Sequence, residues 1–134
     1  MAPLNTLSPG NALAVYVYLS KIDPTTGVVS AQTTGTLTGF LSNNPSSTAV
    51  TIPTLSVLGV YIGGATAFTD APGPGIEGSW MFLFPASIIT ASICTTYFEP
   101  PTRANAPYFY CMEADVIRVT YRLVYVQNRL LEPA

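Results

Sequence analysis

The run DVIRVTYRLVYVQ (Asp115–Gln127) alternates by side-chain type over its whole length. Ile117, Val119, Tyr121, Leu123 and Tyr125 fall on one parity, and Arg118, Thr120, Arg122 and Val124 on the other. A period of two with β-branched and aromatic residues predicts a strand with one buried face and one polar face. Both arginines then project from the polar face, about 13 Å apart by strand rise.

Working outward, Tyr108–Met112 reads as a strand, reached through the polar loop Thr102–Pro107. Ser87–Phe98 reads as a long β segment ended by Pro100 and Pro101. Ser79–Phe84 places Trp80, Phe82 and Phe84 on one parity, and Pro85 forces an edge or a break. Asp70–Gly78 (DAPGPGIEG) is too rich in Pro and Gly for a regular element and reads as a surface loop. Val57–Ile62 is a strand ending at Gly63 and Gly64. Ala49–Ile52 is a short strand stopped by Pro53, Asn43–Ser47 is a loop, and Thr36–Leu41 is again a strand.

Near the start, Ala12–Leu19 puts Leu13, Val15, Val17 and Leu19 on one face and Ala12, Ala14, Tyr16 and Tyr18 on the other. The turn Asp23-Pro24-Thr25-Thr26-Gly27 then joins it to Val28–Ala31 as a hairpin. Short strands punctuated by turns predict one all-β domain over residues 1–134, an antiparallel β-sandwich of Ig-like or jelly-roll type. Residues 1–10 and 128–134 read as extended arms, with Leu4, Leu7, Leu130 and Leu131 as apolar anchors for a neighbouring subunit.

Composition narrows function by subtraction. Only 9% of the 134 residues are charged, against 49% hydrophobic, and histidine is absent. From Pro24 through Thr69 there is no Lys, Arg, Asp or Glu. General acid–base catalysis, metal binding and phosphate clamping draw on the scarce residue types. No enzyme activity and no cofactor are expected. Five basic residues and a net charge of −2 leave no electrostatic footprint for nucleic acid. The first ten residues lack the basic and apolar regions of a signal peptide, and no apolar run is long enough to span a membrane. Cytoplasmic synthesis is expected, with Cys94 and Cys111 as buried thiols. A lightly charged apolar surface suits a protein that lives against copies of itself or a partner.

Specific candidates follow. Pro74 and Ile76, in the Pro/Gly loop, would bury in a partner groove. Arg118 and Arg122 would hold two carboxylates of a neighbouring subunit. Trp80, Tyr108 and Tyr110 form a candidate aromatic platform for a sugar, with core packing as the competing reading. Glu113 and Asp115 share a parity, so a hydrolytic carboxylate pair is conceivable, as is pairing with a base across the sheet.

The strand and hairpin Ala12–Ala31, the strand end Gly59–Gly64 and the aromatic strand Ser79–Pro85 together resemble small β-sandwich virion proteins of tailed bacteriophages. These are capsid decoration (cement) proteins and head–tail or tail accessory proteins. The resemblance implies a non-enzymatic, many-copy virion protein assembled in the host cytoplasm, binding itself and major capsid or tail subunits. The scarcity of charge departs from that group and favours a position sealed between subunits. A carbohydrate-binding module is the alternative.

Overall fold

The strands expected to be most apolar form the middle of the fold. In this computed structural model, which describes residues 7–43, 51–63, 77–99, 102, 104–123 and 132–133, β1 (Leu13–Tyr18) pairs antiparallel with β7 (Ser79–Phe84). Leu13 stands opposite Phe84 and Tyr18 opposite Ser79. The even and odd faces separate as the sequence predicts. Leu13, Val15 and Val17 meet Phe84, Phe82 and Trp80 across the pair, and all six are buried. Each such side chain removed from water contributes about 1.5–3 kcal/mol.

The strand read over Ala12–Leu19 pairs with β7 instead of forming a hairpin arm. A hairpin does form around the expected turn, but its first arm is the separate strand β2 (Ser20–Ile22), paired with β3 (Val29–Ala31). Its turn is built by Asp23, whose Oδ1 accepts from the amides of Thr25 (2.8 Å) and Thr26 (3.1 Å). Gly27, at φ 75°, closes it with an amide hydrogen bond to the Asp23 carbonyl. Only glycine takes that dihedral without steric cost.

A second sheet has the order β10–β9–β8–β4–β5, with β4 (Leu37–Ser42), β5 (Thr51–Leu58), β8 (Tyr108–Glu113), β9 (Val116–Arg122) and β10 (Glu132–Pro133). All its pairings are antiparallel. The chain is therefore all-β, with the β1–β7–β6 sheet, the five-stranded sheet and the hairpin as separate antiparallel ladders. The two larger sheets share one core. Phe82 and Phe84 of the first reach Phe109 of the second at ring centroids 5.2 and 6.1 Å apart.

One stretch belongs to both sheets. β5 ends at Leu58, and after Gly59 the chain continues as β6 (Val60–Tyr61), paired to β7 in the other sheet. The Gly59 amide still donates to the Leu37 carbonyl of β4 at 2.8 Å. A β-carbon at Gly59 would stand 2.5 Å from the Phe82 ring, so only a residue without one lets the strand cross there.

Four further expectations are corrected. Ser87–Phe98 is no strand. The backbone turns after Pro85, with the amides of Ile88 and Ile89 donating to the carbonyls of Pro85 and Ala86. It then forms the helix α1 (Ala91–Tyr97), capped by Thr90, whose Oγ1 accepts from the Ile93 amide. Ile89, Ile93, Cys94, Tyr97 and Phe98 are spaced for one helical face and all pack on the core, so the cap and a 3.6-residue period override β propensity.

Pro53 does not stop its strand. β5 runs through it as the outer strand of its sheet, where a missing amide is tolerated. The register also jumps there, from Phe40 opposite Ser56 to Ser42 opposite Thr51.

The long final strand is interrupted by a bulge. Cys111 faces Val119 while Met112 faces Ile117, leaving Arg118 as the extra residue. Ile117 thereby leaves the face of Val119 and Tyr121 and is 41% exposed. Leu7, finally, is no free arm anchor: it is 5% exposed inside the core cluster. At the other end, Glu132–Pro133 pair with β9 of their own chain.

Candidate functional site

The outer face of the β1–β7–β6 sheet is one of three surfaces with exposed large apolar side chains, the others lying on the β2–β3 hairpin and around Leu58, Val116 and Ile117 of the five-stranded sheet. Register places Ala14, Tyr16 and Tyr18 beside Leu83, Met81 and Ser79, with Val60 next to Met81. None of these seven carries a charge. Tyr18, Val60 and Leu83 remain 48%, 51% and 40% exposed. An antiparallel sheet with one buried face ordinarily turns polar residues outward. Here Ala14 and Ser79 are buried, and the five residues left in contact with solvent, Tyr16, Tyr18, Val60, Met81 and Leu83, include no charged group.

The β2–β3 hairpin adds a second apolar feature. Ile22 and Val29 are cross-strand partners at 65% and 61% exposure, and Val28 follows at 60%. An isolated two-stranded hairpin is marginal in water, but this one is fastened at its base. The Leu19 amide donates to the Gly78 carbonyl and the Gln32 amide to the Leu19 carbonyl. The indole Nε1 of Trp80 donates to the Gln32 carbonyl at 2.8 Å. Gln32, itself buried, sends its amide nitrogen to the Thr34 carbonyl (2.6 Å) and to Glu113 Oε2 (3.2 Å).

Glu113 is thereby committed to a structural network. Its other oxygen accepts from Arg118 Nη2 at 2.5 Å. Asp115 lies apart in the turn between β8 and β9, fully on the surface, after Ala114 at φ 53°. The alternative reading, Glu113 partnered by a basic side chain, is the one realised.

The aromatic candidates separate. Trp80 is 3% exposed in the core and its N–H is used. Tyr108 and Tyr110 do share the outer face of the five-stranded sheet, where Phe40, missed by sequence reasoning, stacks on Tyr110 at 5.1 Å and 16°. Tyr110 is nonetheless 1% exposed, and its burial raises the phenol pKa. Only Tyr108 is half-buried, and the Arg122 guanidinium lies 5.2 Å from its ring centre. The three residues expected as a sugar platform present no common open surface. Arg118 and Arg122, expected to reach for a neighbour, are both engaged within the chain because the bulge draws Arg118 to Glu113.

A pocket of about 190 Å³ opens between the N-terminal segment and α1, lined by Leu7, Ser8, Pro9, Cys94, Phe98 and Glu99. Cys94 is a free, buried thiol whose pKa is raised by desolvation and then by the Glu99 charge. Cys111 is also free, and burial pushes its pKa up to about 12. Neither thiol is poised as a nucleophile, which needs a depressed pKa. Leu4, Pro74, Ile76, Leu130 and Leu131 lie outside the described residues. Among the described residues no group of His, Cys, Asp and Glu can hold a metal, and no helix is long and apolar enough to cross a membrane. No protein family, curated protein or solved structure matches this chain.

Proposed function

We propose that this chain is a non-enzymatic structural protein that works by adhesion. One observation carries the reading: the outer face of the β1–β7–β6 sheet presents Tyr16, Tyr18, Val60, Met81 and Leu83 with no charge among them, and Tyr18, Val60 and Leu83 are about half exposed. A face of that kind gains free energy by leaving water, at about 25 cal/mol per Å². Two features agree with it. The described carboxylate best placed for chemistry, Glu113, is held in an ion pair, and both thiols are shifted towards their unreactive form.

On the resemblance to small virion proteins, the surface that receives this face is a major capsid or tail subunit, or another copy. The role is then that of a capsid decoration protein, with a head–tail or tail accessory protein as the second placement. Many symmetric copies, each burying about 800 Å² per contact, add up to a lock through avidity.

The test is sedimentation velocity over a hundredfold concentration range. Wild-type protein is expected to shift to larger species, while Val60→Lys/Leu83→Lys stays small with an unchanged far-ultraviolet spectrum. A wild type that remains monomeric throughout and turns over a small molecule refutes the proposal.

A further inference from the structure

The hairpin tip and the pocket are complementary, and they sit at opposite ends of the same strand. The pocket residues Leu7–Pro9 lead into β1, and the Gly10 amide donates to the Ile89 carbonyl beside α1. The hairpin leaves β1 at its far end, after Tyr18. Six residues of strand separate the two, about 20 Å, so a chain's own hairpin does not reach its own pocket.

Size and chemistry match. About 190 Å³ falls below the roughly 300–1,000 Å³ of small-molecule sites. It suits one or two aliphatic side chains. Ile22 and Val29 offer such a pair side by side on one face of the hairpin. Leu7, Pro9 and Phe98 supply apolar walls.

Charge matches as well. Lys21 adjoins Ile22, and Glu99 stands at the pocket wall. Both are exposed, and neither has an ion-pair partner among the described residues. The nearer anion, Asp23, has its carboxylate turned into its own turn by two amide hydrogen bonds. Finally, the Gln32 network holds the hairpin base to the core, which lowers the entropy lost on docking.

We propose that copies of this chain associate head to tail, the Ile22/Val29 hairpin of one entering the Leu7–Phe98 pocket of the next, with Lys21 facing Glu99. This deepens the adhesive reading and rests on it. Because the two patches differ, the contact is heterologous and builds rings or filaments instead of closed pairs.

Two surface variants test it by complementation. Ile22→Lys/Val29→Lys spoils the hairpin, and Ser8→Trp/Glu99→Lys fills and recharges the pocket. Each alone is expected to weaken self-association at least tenfold in sedimentation velocity, with melting temperature unchanged. Mixed in equal amounts, they are expected to form a one-to-one complex, since each retains the half the other lacks. If wild type associates but both variants associate equally well, head-to-tail docking is wrong and adhesion through the sheet face stands. A mixture that forms no complex also overturns the docking, as does a wild type that never associates, whereas the adhesive reading itself falls only if that monomer also turns over a small molecule. A folding defect in the tryptophan variant is bypassed by Glu99→Lys alone, whose loss of affinity is expected to be restored by Lys21→Glu in the same chain.

Discussion

The two large sheets share a core yet differ in what they turn outward: one places charged side chains among its solvent-contacting residues and the other places none. On the five-stranded sheet part of the outer face is paired internally, with Phe40 stacked on Tyr110 and Arg122 over Tyr108, while Leu58 and Ile117 stay 64% and 41% exposed. Beyond the bulge, Arg118 pairs with Glu113. On the β1–β7–β6 sheet the outer row of Tyr16, Tyr18, Val60, Met81 and Leu83 carries no charged side chain. A side chain with an internal partner has spent its binding capacity, whereas exposed apolar surface keeps it. On the adhesive reading proposed above, the charge-free face is the one that meets others.

The largest expected effect removes what the sheets have in common. Phe82→Ala should cost about 3–5 kcal/mol, since Phe82 is fully buried and touches Phe109 across the core. Urea unfolding should show both sheets lost in a single transition. Separate transitions would mean that the sheets are independent units.

Next comes the internally satisfied side. Glu113→Ala removes the partner of Arg118 and of Gln32 Nε2 and should cost about 1–3 kcal/mol. The matching change on the apolar face, Leu83→Lys, should stay within about 0.5 kcal/mol of wild type in stability while abolishing association. If Leu83→Lys is the more destabilising of the two, the division of labour fails.

Smaller effects come from titration. Cys111, with its pKa raised from 9.0 to about 12, stabilises the folded state fully below pH 9. That contribution is lost as pH rises towards 12, because the unfolded thiol ionises first. The urea midpoint of wild type should therefore fall more steeply between pH 9 and 12 than that of Cys111→Ala. Tyr110 acts in the same direction and is common to both proteins.

The smallest effect lies in the hairpin. Asp23 is lowered from 3.8 by the amides of Thr25 and then Thr26. Its contribution is present above that pH and disappears as pH falls through the lower folded value. Amide exchange at Thr25 and Thr26 should accelerate there, with core amides unchanged.

Much of this was written in local residue order. The alternation of Leu13, Val15 and Val17 against Trp80, Phe82 and Phe84, and the Asp23–Gly27 turn, are short-range signals that the fold obeys. What escaped depends on partners distant in sequence. The bulge at Arg118 answers to Glu113, and the passage of β5 through Pro53 depends on lying outermost. The helix at Ala91–Tyr97 was within reach, since Thr90 is a good cap and Ile89, Ile93 and Tyr97 recur every four residues. Its β-branched and aromatic composition argued the other way. The missing charge was legible in composition, and it motivates the adhesive reading proposed above. Which strand face would turn outward was not legible, because parity alone does not say which of two apolar faces turns inward.

The strand that changes sheets at Gly59 has a mechanical meaning. A single covalent thread runs through both layers, so they cannot be peeled apart without breaking the ladder to β4 or the one to β7. Tension arriving at one surface is handed to the other through the backbone itself.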